Sequence, residues 1–192
     1  MINGVLMHQG IGLDAFNRLP TRRAVHALYE CCNSVTMAGD LAKARPYASH
    51  DALLRKADAL LFALSEESVD RILEAYPRVG SRPGSSRSHA EQCALWDDRP
   101  GVMQLLESAA RGYAHRFGFE FVMHIAECGA GHGAGHEVAR NRDVSGVIAA
   151  IADRMHHDAE TERKVLRNEI AKVNRSRLER MLGPEAGYDN WG

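Results

Sequence analysis

A chain of 192 residues with 45% hydrophobic content is long enough to bury a core without disulfide or metal staples, and one domain is expected. Lys+Arg 24 against Asp+Glu 25 gives a formal net charge of -1, which excludes a global field for nucleic acid or an anionic membrane and favours a small neutral or anionic ligand. No apolar run approaches the roughly 20 residues that span a bilayer, and the opening MINGVLMHQG lacks a basic stretch ahead of a long apolar core, so the chain reads as cytoplasmic.

In chain order, the pattern predicts helices almost throughout. Residues 1–10 read as an extension and 11–183 as the helical domain. Pro20 and Thr21 start a helix in which Val25, Leu28 and Cys32 share a face, and Ser34 to Ala44 holds a second that Pro46 stops. Ser49 caps a third whose stripe is Leu53, Leu54, Ala57, Leu60, Leu61 and Leu64, and Ser65 opens a fourth ending at Tyr76. Pro77 restricts Tyr76 to extended backbone, which presents that side chain at a helix end. A Gly/Pro/Ser-rich loop from Gly80 to Ser88 follows.

Val102, Leu105, Leu106, Ala109 and Tyr113 then mark a helix that closes on the aromatic cluster Phe117, Phe119 and Phe121, while the segment up to Ala126 fits strand or helix. The composition of 127–142, with GAGHGAGH at its centre, loses too much backbone entropy to hold regular structure and reads as a mobile loop. Val144, Val147, Ile148 and Ile151 restart a helix. A last long one carries Leu166, Ile170, Val173, Leu178 and Leu182 before Gly183-Pro184 ends it, leaving 184–192 as a tail. The fold class is all-α.

Four cysteines, with Cys31 and Cys32 adjacent and Cys93 and Cys128 apart, match neither a disulfide framework nor a zinc site, and helix packing explains the adjacent pair better than nucleophilic chemistry. His132 and His136 stand four apart, but the intervening Gly-Ala-Gly opposes a rigid metal site, so no metal is expected.

Four segments in order carry a resemblance. They are Cys31-Cys32-Asn33-Ser34 followed by Arg45-Pro46-Tyr47; AYPRVG around Tyr76; Ser88 with Glu91 and Gln92; and FGFEF joined to Arg154, Glu162, Glu169, Lys172, Arg177 and Leu178. Each is weak alone, and together they resemble the 2-oxo-4-hydroxy-4-carboxy-5-ureidoimidazoline (OHCU) decarboxylases of urate breakdown, a branch of purine metabolism, from about Phe16 to Leu182. The resemblance implies an all-α homodimer that decarboxylates a small heterocyclic substrate to S-allantoin without cofactor. Tyr76 and Glu91 then fall at catalytic positions, and Pro77, Ser88, Gln92, Val122, His124, Ala126 and Arg177 at substrate-binding ones. For Arg177 a solvated charge on the last helix is the competing reading.

The family usually places a His immediately before the proline as principal acid/base, and this chain has Tyr76 there. An imidazole titrates near pH 6.5 and a phenol near pH 10, so a tyrosine is a poor base but a usable proton donor. Met37 likewise stands where relatives carry tryptophan, a difference of packing more than chemistry. His124, just beyond FGFEF, offers an imidazole that would restore the base from another direction. Three readings stay open: a ureidoimidazoline decarboxylase with an altered acid, a relative turned to another heterocyclic or ureido substrate in a biosynthetic route, and a silent ligand-binding homologue.

Overall fold

The computed structural model describes residues 10–76, 78–79, 97, 99–125 and 144–184. Among them the regular structure is eight helices: α1 (Leu13–Arg18), α2 (Thr21–Cys32), α3 (Val35–Lys43), α4 (His50–Phe62), α5 (Glu66–Glu74), α6 (Val102–Phe117), α7 (Val144–Arg154) and α8 (Ala159–Leu182). The all-α expectation holds. Most of the predicted extension at 1–10, the loop at 127–142 and all but Pro184 of the predicted tail at 184–192 lie outside the described residues.

The chain divides into two compact units, Met1–Ile72 with Ile170–Gly192, and Leu73–Glu169. In the first, α2 packs on α3 and α3 on α4. Asn33 takes the left-handed conformation at the end of α2 (φ 51), and Ser34 accepts from the Met37 N–H to start α3, so two residues turn the chain between two helices. The buried faces are Ala24, Leu28, Cys31 and Cys32 on α2 and Met37, Ala38, Leu41 and Ala42 on α3. Met37 thus fills core space. Burial raises the Cys32 thiol, and its Sγ donates to the Leu28 carbonyl at 3.0 Å, which fits packing and opposes a nucleophilic role.

Ser49 accepts from the Ala52 N–H at 3.1 Å and starts α4 as predicted, with Leu53, Leu54, Ala57 and Leu61 buried and Leu60 and Leu64 at the margin of the stripe. Arg45 closes two helix ends at once. Its guanidinium donates to the Phe16, Asn17 and Leu19 carbonyls at the end of α1, at 2.9, 3.4 and 2.7 Å, and to the Ala42 carbonyl near the end of α3 at 3.0 Å. Helix ends leave such carbonyls short of intrahelical partners, the Phe16 carbonyl taking also the Leu19 N–H at 3.2 Å, and a cation suits their negative dipole end. Tyr47 completes the element: its hydroxyl donates to the Leu41 carbonyl at 2.8 Å, and the Asn17 side chain pairs with its backbone N–H and C=O at 2.9 Å each.

Residues 10–12 meet the end of α8 within this unit. Ile11 and Gly12 donate to the Met181 and Leu182 carbonyls at 2.8 Å each, and a Cβ on Gly10 would lie 2.4 Å from the Gly183 Cα, so only glycine admits this approach.

In the second unit α6 packs on α7. Gly118 ends α6 at φ 78, donating to the Ala114 carbonyl at 2.8 Å. The buried face is Leu106, Ala110 and Tyr113, and Leu105, expected in the stripe, is 63% exposed. Both sets have helical spacing, and the phase is set by Tyr113, whose ring meets Phe117, Phe119 and Phe121. From 120 to 125 the chain runs without helix, turn or bend and pairs in no sheet, which resolves the strand-or-helix ambiguity as neither. Among the described residues, no helix is long and apolar enough to cross a membrane.

Candidate functional site

Helix α5 ends at Glu74, and the Tyr76 N–H donates to the Leu73 carbonyl at 2.9 Å, so Tyr76 sits just past a helix end, as its position before a proline implies. Its hydroxyl oxygen is shielded from solvent. Two residues on, Arg78 pairs with Glu120 at 3.0 Å, tying the stretch after Tyr76 to the start of the straight segment 120–125.

That segment lies on a buried polar network drawn from three helices. Glu162 at the head of α8 is 0% exposed and receives the Tyr113 hydroxyl, Arg154 Nε at 2.7 Å and His157 Nδ1 at 2.7 Å. A carboxylate stripped of water needs such partners, since unpaired burial of a charge costs several kcal/mol. Burial and the bond to Glu162 hold the Tyr113 phenol well above the ordinary range, so it stays protonated and donates. Arg154 also lies 4.4 Å from the centroid of the Phe121 ring, and Arg163 lies 4.0 Å from that of Phe119.

Two bonds then reach the segment's backbone. Arg154 Nη1 donates to the Val122 carbonyl at 2.8 Å, and the His124 N–H donates to Glu169 Oε2 at 2.7 Å. The network therefore fixes where this peptide runs.

Of the residues singled out from sequence, Tyr76, Val122 and His124 fall in this unit. The Val122 carbonyl and His124 N–H are engaged by side chains of the fold. Pro77, Ser88, Glu91, Gln92 and Ala126 lie outside the described residues, as do Cys93, Cys128, His132 and His136. Arg177 belongs to the other unit and is 6% exposed, so the solvated-charge reading is corrected. Its guanidinium donates to the Cys31 carbonyl at 3.2 Å, and the Cys31 thiol donates back to the Arg177 carbonyl at 3.6 Å. The Cys31-Cys32 element and Arg177 thus meet physically.

Sequence reasoning placed Arg154, Glu162 and Glu169 in one pattern without a role, and it missed Tyr113 and His157 as polar partners. A signal existed. Glu162, Leu166 and Ile170 recur at four-residue spacing, which puts a carboxylate on an apolar stripe and calls for a buried cation.

Among the described residues, helices with a charged cluster bracing one straight aromatic segment define the class as an all-α protein. A crystal structure of OHCU decarboxylase in the presence of (S)-allantoin matches with a TM-score of 0.62 and 18% identity, over 80% of this chain and 95% of that one. A crystal structure of (S)-allantoin synthase matches with a TM-score of 0.61 and 17% identity, over 87% of this chain and 52% of that one, so the chain spans about half of the synthase's length. No curated protein matches by sequence. The family model described as OHCU decarboxylase matches residues 17–179, and the chain belongs to that family.

Proposed function

We propose that the protein is a cofactor-independent decarboxylase acting on a ureidoimidazoline in urate breakdown and giving S-allantoin. The family match over 17–179 carries this reading. Loss of carbon dioxide breaks a carbon–carbon bond and leaves its electron pair on carbon, where the conjugated imidazoline ring of the substrate takes it up. The protein then has to orient the ring, exclude water and return one proton.

In this reading the Tyr76 phenol, at a helix end with a shielded hydroxyl, donates that proton or a hydrogen bond. Glu91 holds or deprotonates a substrate hydroxyl or ureido group, Ser88 and Gln92 bond the ring and ureido edges, and Pro77 and the 122–126 backbone line the cradle. Cytoplasmic location and a homodimer belong to the same proposal, the second checked by light scattering.

A second reading rests on Tyr76 itself: a phenol in place of the usual imidazole suits another heterocyclic or ureido substrate. One experiment separates the two. The unstable ureidoimidazoline is generated in situ from urate, and the optical activity of the allantoin formed is followed for wild type and Tyr76→His. Turnover to the S enantiomer by wild type is expected, with a gain of about tenfold or more in the His variant, within the range of positioned acid/base groups. Turnover by the His variant alone transfers the protein to the second reading or to that of a silent ligand-binding homologue.

A further inference from the structure

We infer that Arg154 and Glu169 are positioning residues: together they set the rotation of the 121–125 backbone, so that the peptide groups of Met123 face away from the protein's own network and toward the substrate. This rests on the decarboxylase reading for the identity of the ligand and on geometry alone for the clamp.

The geometry is simple. Arg154, the last residue of α7, takes the Val122 carbonyl at 2.8 Å, and Glu169, in α8, takes the His124 N–H at 2.7 Å. The two bonded residues are two apart on a stretch that carries neither turn nor bend. In an extended chain the peptide groups of alternate residues point to the same side and those of the residue between them to the opposite side. Groups at 122 and 124 therefore face the helices, and the N–H and C=O of Met123 face the other way.

Arg154 cannot swing to release the carbonyl. Its Nε is held by Glu162 at 2.7 Å, its Nη2 reaches the Tyr113 hydroxyl at 3.2 Å, and its guanidinium carbon lies 4.4 Å from the centroid of the Phe121 ring. Glu169 supplies the second point of attachment, and two points fix rotation where one would not.

Met123 is half-buried, and among the described residues none hydrogen-bonds its backbone N–H or C=O. A donor and an acceptor on one peptide edge suit a ureido or cyclic amide group, which carries the same pair in complementary order, as a peptide does when it adds to a strand edge. The backbone contacts expected of Val122 and His124 pass to Met123 on this account.

The test compares Glu169→Ala with Glu169→Gln, whose amide oxygen still accepts from the His124 N–H. Backbone amide exchange at His124 and steady-state turnover of ureidoimidazoline generated from urate are measured in both. Glu169→Ala is expected to lose His124 protection and to raise KM about tenfold, the worth of one well-placed hydrogen bond, with kcat within about threefold. Glu169→Gln should keep both protection and KM, which a general loss of packing would not spare. Unchanged protection and unchanged KM in the Ala variant overturn the inference. If wild type shows no turnover, the decarboxylase reading fails separately, and the exchange comparison still decides the clamp: protection lost in Ala and kept in Gln upholds it, and equal protection in all three refutes it.

Discussion

Arg45 in the first unit gives its donors to four backbone carbonyls, whereas Arg154 in the second divides its donors among a carboxylate, a phenol and one carbonyl. Both hold backbone that no regular ladder satisfies. The difference lies in what each leaves behind when removed. Without Arg45 the groups left behind are neutral carbonyls at helix ends, one of which, on Phe16, keeps the Leu19 N–H. Without Arg154 a carboxylate at 0% exposure is left with a tyrosine and a histidine. The first arginine closes a fold, and the second makes a charged interior possible beside the candidate site.

The sharpest way to break that contrast is to remove each side chain at similar volume. Arg154→Met should cost about 3–5 kcal/mol, the usual penalty for stranding a buried charge, read as a fall in urea midpoint or as failure to fold. Adding Glu162→Gln to the same chain should recover part of that loss, because the stranded charge goes with it. Arg45→Met should cost less, about 1–3 kcal/mol, the range for buried polar groups left without partners. Equal losses would mean that the charge on Glu162 is not what distinguishes the units.

A smaller effect separates the units by pH. Burial pushes the Tyr47 phenol up to about 12, with Arg45 opposing, and burial with Glu162 holds Tyr113 higher still. Each folded-state value is raised above the ordinary phenol value of about 10. The stability each contributes is therefore fully present below pH 10 and is lost as pH rises through the folded-state values. Denaturation midpoints should begin to fall above pH 10. In Tyr47→Phe the early part of the fall, up to about pH 12, should flatten, and in Tyr113→Phe the later part. A fall indifferent to both substitutions would assign alkaline unfolding to other groups.

Much of this arrangement was legible in the residues. Ser49 announced its helix through capping chemistry, and the leucines after it announced their face through spacing; both are local signals. The phase of α6 was misjudged because Leu105 and Leu106 are equivalent to a periodicity count, and only the aromatic partners of Tyr113, reached through the turn at Gly118, decide which one faces inward. Arg45 and Arg177 were visible as members of a recurring pattern, but three of the four carbonyls that Arg45 holds lie 26–29 positions away and the Cys31 carbonyl lies 146 from Arg177, and no local rule pairs them. At the candidate site, the position of Tyr76 before a proline was readable. The consumption of Val122 and His124 by Arg154 and Glu169 was not, because it depends on how a helix of one segment meets the backbone of another.

The bonds from Ile11 and Gly12 to the end of α8 have a bearing on biosynthesis. The second unit is one uninterrupted stretch of chain, but the first is assembled from both ends of the sequence. A ribosome delivers the opening helices long before the strand of polypeptide that seals them. Until it arrives, the buried face of α2 around Cys31, which Arg177 meets, waits unsealed, the kind of transient exposure that invites aggregation. Nascent chains halted before residue 170 should therefore depend on chaperones more heavily than the finished protein does.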